Sequence, residues 1–110
     1  MNKLLLAFIL LSISTISQSE SLKIASWNIA WLGSHGFNKR VDDDYGQLAK
    51  YASKLDADVI ALQEVEDGQW ANKVFGDKYD YYFTTKNWVQ KVGLAVRKSS
   101  GYKVISVEYK

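Results

Sequence analysis

The sequence predicts an α/β fold, with a mixed sheet and two helices, from three observations. Short β-type runs alternate with segments whose apolar residues recur at spacings of three and four. One apolar run lacks polar alternation, as in a strand packed between neighbours. Gly, Asn, Asp and Ser mark the boundaries, and the 110 residues contain no proline. Hydrophobic residues make up 47% and charged residues 24%, which fits one small globular domain.

The first segment reads as a leader outside the fold. Met1–Asn2–Lys3 is a cationic start, Leu4 to Leu11 is unbroken apolar, and a Ser-rich stretch ends at Ser17–Gln18–Ser19. This is the pattern of a signal peptide over residues 1–19, cleaved after Ser19, with the domain in residues 20–110. The apolar run is shorter than the roughly 20 residues that span a bilayer, so an uncleaved anchor is the lesser alternative. The expected location is secreted or periplasmic, with no stable membrane association after cleavage.

Ser21–Asn28 then alternates as a central strand, with Leu22, Ile24 and Ser26 on one face and Lys23, Ala25 and Trp27 on the other. Gly33, Ser34, Gly36 and Asn38 mark a loop. One of Asp42, Asp43 and Asp44 should N-cap a helix, with the others favouring its positive end. Tyr45, Leu48, Ala49, Ala52 and Leu55 form its buried stripe, and Asp56–Ala57–Asp58 ends it. Val59–Leu62 is a strand covered on both faces, completing a β–α–β unit with parallel strands. Asp67–Phe75 is a second helix, with Trp70, Ala71 and Val74 inward and Gly76 as its stop. Tyr79–Thr85, Val92–Lys98 and Tyr102–Tyr109 are expected to form an antiparallel meander.

Composition excludes several chemistries. Without cysteine there is no disulfide framework and no Cys-ligated zinc or iron–sulfur site. One histidine excludes a mechanism that needs two from this chain. A net charge of +2 is too small to argue for nucleic acid or membrane by bulk electrostatics.

The chemistry falls on two strand ends. The first strand finishes at Asn28 and the second at Gln63–Glu64, and parallel strands end at the same sheet edge, where open α/β sheets bind ligands. A carboxylate beside an amide oxygen is hard-oxygen ligation, suited to Mg²⁺ or Mn²⁺. The alternative is that Asn28 caps a turn and Glu64 is a solvated acid.

Leu22-Lys23-Ile24-Ala25-Ser26-Trp27-Asn28-Ile29, followed by Asp56-Ala57-Asp58-Val59-Ile60-Ala61-Leu62-Gln63-Glu64-Val65, resembles the opening of the endonuclease/exonuclease/phosphatase superfamily, the deoxyribonuclease-I-like hydrolases. Val92-Gly93-Leu94-Ala95-Val96-Arg97 is similar to a core strand of that family. The resemblance runs from Leu22 to Arg97 and implies a four-layer α/β/β/α sandwich, incomplete here. It implies a metal-binding carboxylate at Glu64 and, at Asn28, a residue that places the metal or the scissile phosphate. Gln63 lies beside the site, and Gln90 stands where some relatives brace a catalytic His.

The family's catalytic His and Asp and its D-x-N and S-D-H motifs do not occur in this chain, and His35 is too early to be a family histidine. His35 reads as a solvated loop residue, with phosphate contact as the lesser alternative. The implied activity is divalent-metal-dependent phosphoester hydrolysis, first as a secreted nuclease, second as a lipid or inositol phosphoesterase. The chain would be the N-terminal part of the domain, inactive alone, with nucleic acid as substrate and the missing C-terminal half as partner. A catalytically inactive fragment or binding module is the reading from a different class.

On the resemblance, one inner sheet face stays uncovered, and its rings, among Trp27, Tyr81, Phe83 and Tyr102, are expected to be partly wet. Trp27 and Trp31 could stack on a base, but strand tryptophans are more often core. Asp42–Asp44 reads as a helix cap before a metal cluster. Lys86, Lys91, Arg97, Lys98 and Lys103 read as a solvated or edge-protecting set before a phosphate-binding one.

Overall fold

A computed structural model describes residues 21–34, 40–86 and 88–108. The leader over 1–19, its cleavage point and His35 lie outside these. The elements run β1 (Ile24–Leu32), α1 (Asp42–Leu55), β2 (Val59–Val65), α2 (Gly68–Phe75), β3 (Tyr79–Phe83) and β4 (Lys91–Arg97), with single 3₁₀ turns at Gly76–Lys78 and Lys98–Ser100. The sheet order is β1-β2-β4-β3. β1 and β2 are parallel, while β4 is antiparallel to both β2 and β3. The fold is thus mixed α/β, with four strands and two helices among the described residues.

Both helices pack on one sheet face. Ile29, Leu32, Ile60, Leu62, Val65 and Ala95 from the strands close against Ala52 of α1 and Ala71, Val74 and Phe75 of α2. Phase explains the choice of residues. Ala25, Trp27 and Ile29 alternate inward along β1, and Ile60 and Leu62 do so along β2. Trp27 meets Phe75 edge-on at 5.8 Å, and Tyr45 stacks on Trp70 at 6.2 Å across the helix seam. The Lys73 ammonium lies 4.2 Å from the Trp70 ring centre.

The helix ends follow local chemistry. Asp67 caps α2, its carboxylate accepting from the Gln69 and Trp70 amides at 2.9 and 3.4 Å. Gly76, at φ 76°, stops the helix as expected. At α1 the N-cap is Val41, not an aspartate. Asp44 reaches back and accepts from the Val41 N–H at 2.8 Å, the half of a capping box that the residue three places on supplies.

Four other expectations change. Among the described residues β1 is an edge strand, not a central one, because β4 takes the other side of β2. β2 is covered on one face only: Val59, Ala61 and Gln63 stay half-buried because the helices share the opposite face. Leu55, the last residue of α1, ends the stripe 37% exposed. Tyr102–Glu108 forms no strand. After the left-handed Gly101 (φ 79°), this segment pairs with neither edge, and Ile105 is 98% exposed. Alternation alone does not make a strand without a ladder to satisfy the backbone.

The open face carries other residues than the rings expected there. Trp27, Tyr81 and Phe83 belong to the helix side and pack on the core. Register puts Ser26, Ala61, Leu94 and Tyr82 in one row across the open face. Ile24 (68% exposed) and Val92 (54%) share that side. The cationic residues also divide. Arg97 is half-buried, pairing with Asp56 at 2.8 Å and donating to the Ala57 carbonyl at 2.8 Å, so it pins the α1–β2 turn. Lys91 donates to the Glu66 carbonyl at 2.8 Å, and Lys98 lies 3.9 Å from Asp80.

Gly93 faces Phe83 across the β3–β4 ladder, and an added Cβ would sit 2.6 Å from the Tyr82 carbonyl oxygen. Gly93→Ala is expected to lower the unfolding free energy by about 1–3 kcal/mol in urea titration. Tyr81 gives a pH test. Its hydroxyl donates to the Gly76 carbonyl at 2.7 Å, and burial pushes the phenol well above its usual value of 10.0. The stabilisation is complete below pH 10 and is lost as pH rises, because the unfolded phenol ionises first. Denaturation at stepped pH should show a downward slope above pH 10 that Tyr81→Phe flattens.

Candidate functional site at the parallel strand ends

Two coincident irregularities build the site. From Asn28 to Leu32, β1 advances four residues while β2 advances two, from Gln63 to Val65. Against β4, β2 advances three residues from Leu62 to Val65 while its partner advances two, from Gly93 to Lys91. The extra residue in β2 is Glu64, at φ 59°. Strict alternation after Ile60 and Leu62 would send side chain 64 under the helices. The bulge gives that buried position to Val65 and turns Glu64 out to the sheet edge, half-buried.

β1 coils at the same level, with Ala30 and Trp31 at φ 51° and 64°. The Asn28 amide nitrogen donates to Glu64 Oε1 at 3.1 Å, and Asn28 Oδ1 accepts from the Ala30 N–H at 2.9 Å. Only one flip of the amide serves both partners. Asn28 therefore does the turn-capping work of the bland alternative and also meets Glu64. Gln63, opposite Asn28 in register, donates to Ser26 Oγ at 3.3 Å.

Gln90 lines the same shallow cleft as Glu64, with Trp31, Leu32, Gly33 and Glu66. Trp31 thus borders the site, while Trp27 belongs to the core, so the two tryptophans divide between the readings.

Two supporting residues, Glu66 and Arg40, escaped the sequence reading, and a third, Tyr45, was legible only as part of the α1 stripe. Glu66 accepts from the Ser34 amide and, at 3.0 Å on each carboxylate oxygen, from its hydroxyl, tying the loop after β1 to the end of β2. A signal existed: a second Glu two positions after Glu64, and a Gly-Ser pair after the first strand. Arg40 donates to the carbonyls of Ile29, Ala30 and Trp31 at 2.6, 3.1 and 2.9 Å. It left no signal, because its partners are backbone atoms. Tyr45 completes the surround; burial pushes its phenol up, the nearby Arg40 charge pulls it down, and Glu66 adds to the rise.

The donor chemistry is all oxygen. One half-buried carboxylate, its direction set by an amide, suits a hard divalent cation that keeps several waters. Among the described residues, no group of three or more His, Cys, Asp and Glu gathers to hold a metal. Asp42–Asp44 accordingly makes no such cluster.

The profile of the Endonuclease/Exonuclease/phosphatase family matches residues 25–107. A DNA-(apurinic or apyrimidinic site) endonuclease of Arabidopsis thaliana is 41% identical over 49 residues, 44% of this chain and 12% of that protein. The chain thus spans a small part of that relative's length. No solved structure matches it.

Asn28→Ala should free the Ala30 amide and one Glu64 oxygen together. The expected cost is about 1 kcal/mol of unfolding free energy, with faster hydrogen exchange at Ala30. Unchanged exchange at Ala30 would contradict the geometry described here.

Proposed function

The chain belongs to the endonuclease/exonuclease/phosphatase family, and from that premise we propose that its β1–β2 edge is the metal-binding part of a phosphoester hydrolase, first of all a nuclease. The observation that carries the reading is the 3.1 Å bond between Asn28 and Glu64, contributed by separate strands at the edge where parallel strands end. The likeness to a DNA-(apurinic or apyrimidinic site) endonuclease supports DNA as the substrate before a lipid or inositol phosphate.

In this reading Glu64 holds the cation, Mg²⁺ or Mn²⁺, through one carboxylate. When bound, the ion would polarise a phosphoryl oxygen and neutralise charge on the leaving group. Asn28 fixes the direction of the carboxylate, and Oδ1 keeps a second lone pair beyond its bond from Ala30. Gln90 shares the lining of the shallow cleft with Glu64, and in this reading it orients a neighbouring group. The described residues place no His–Asp pair at this edge. Hydrolysis then needs groups from outside this sheet, supplied by the C-terminal half of a family domain as partner, and the 110-residue chain alone is inactive. The leader pattern over 1–19 adds export from the cytoplasm to the proposal.

Mn²⁺ titration followed by electron paramagnetic resonance tests the site. The purified chain should bind one ion, and Glu64→Gln should weaken binding about tenfold or more. Equal binding by the variant would refute the assignment. In parallel, supercoiled plasmid and abasic-site duplex with Mg²⁺ should remain uncut by the chain. Cleavage that Glu64→Ala abolishes would overturn the claim that the chain alone is inactive.

A further inference from the structure

We propose that Arg40 is a positioning residue for this site: its guanidinium locks the peptide plane that aims the Asn28 amide at Glu64. The geometric claim stands alone; its consequence for a cation rests on the reading of Glu64 as metal ligand.

A rigid trans peptide unit links the Ile29 carbonyl to the Ala30 N–H. Arg40 Nη2 holds the oxygen end at 2.6 Å, and Asn28 Oδ1 accepts from the N–H end at 2.9 Å. The same plane is gripped at both ends. Rotating it would break the Asn28 contact and release the amide that donates to Glu64 at 3.1 Å. The chain of contact runs from guanidinium to peptide plane to amide to carboxylate.

The other two bonds explain why an arginine is needed. Carbonyls of an extended strand point alternately to opposite sides, yet those of Ile29, Ala30 and Trp31 all reach one guanidinium. They do so because Ala30 and Trp31 are left-handed, a conformation that residues with a Cβ rarely adopt. Converging carbonyl dipoles call for a cation, and a planar fork of fixed donors can meet three at once. A lysine ammonium is a point charge on a flexible stem and cannot span them. Arg40 is half-buried and directly precedes Val41, the cap of α1, so the start of that helix is tied to the end of β1.

Nuclear magnetic resonance on the isotope-labelled chain tests this in wild type, Arg40→Ala, Arg40→Lys and Glu64→Gln. The readouts are the Asn28 side-chain amide pair, hydrogen exchange at Ala30 and broadening by added Mn²⁺. In folded Arg40→Ala the Asn28 pair should move to its position in Glu64→Gln, where the charged acceptor is gone. Ala30 should exchange faster, and the Mn²⁺ needed for half-broadening should rise about tenfold. Arg40→Lys should fall between the two. A lower melting temperature with the Asn28 pair unmoved would show a loop anchor only and overturn the proposal. Should Arg40→Ala fail to fold, Arg40→Lys decides: wild-type behaviour overturns, an intermediate shift supports. If wild type shows no Mn²⁺ broadening near Asn28, the metal reading falls, and the Asn28 pair still judges Arg40.

Discussion

The structure turns on a single extra residue. Glu64 occupies a bulge that β2 shows to β4, level with the extra residues of β1, and the left-handed backbone there sends a carboxylate out of a strand whose next inward place goes to Val65. Such a backbone costs of order 1–3 kcal/mol at a non-glycine residue and persists only where its surroundings fix it. The surroundings are visible: Asn28 on the carboxylate, Arg40 on the carbonyls of the facing strand, and Lys91 on the carbonyl two residues on. Strained positions held from several sides cluster at functional sites, which links the fold to the chemistry proposed for it.

The two ends of the sheet differ in kind. At one end Arg97, Asp56 and Tyr79 converge on the α1–β2 turn, with the Tyr79 hydroxyl and the Arg97 guanidinium both on the Ala57 carbonyl. Those bonds consume their donors in holding the turn. At the other end Glu64, Glu66 and Gln90 line a shallow cleft. The open sheet face, with Ile24, Val92 and Leu94 exposed, shows that one layer of helices covers half of what the strands present.

Much of this was legible in the sequence. The β–α–β unit follows from the α1 stripe and the Val59–Leu62 run, and the meeting of Asn28 with Glu64 from polar residues at two strand ends that parallel pairing brings together. What failed depended on partners that sequence does not name. Whether β1 is central or edge is decided by where β4 inserts. Tyr102–Glu108 has strand alternation but no ladder. The rings of Tyr81 and Phe83 face the helices and not the open side, a difference from Tyr82 that is one of phase alone. Arg40 was invisible because carbonyls carry no side-chain signature, and Glu66 because its role is to accept from a loop backbone. The pattern is physical: apolar period and charge at strand ends are written locally, whereas edges, bulges and backbone clamps exist only once distant segments meet.

Anomalous diffraction from crystals soaked in Mn²⁺ tests the central claim most directly. The account predicts a peak within about 2.2 Å of a Glu64 carboxylate oxygen, with Asn28 still hydrogen-bonded beside it. A peak at Asp42–Asp44 instead, or a Glu64 carboxylate turned away from Asn28 with no ion near it, would contradict the account.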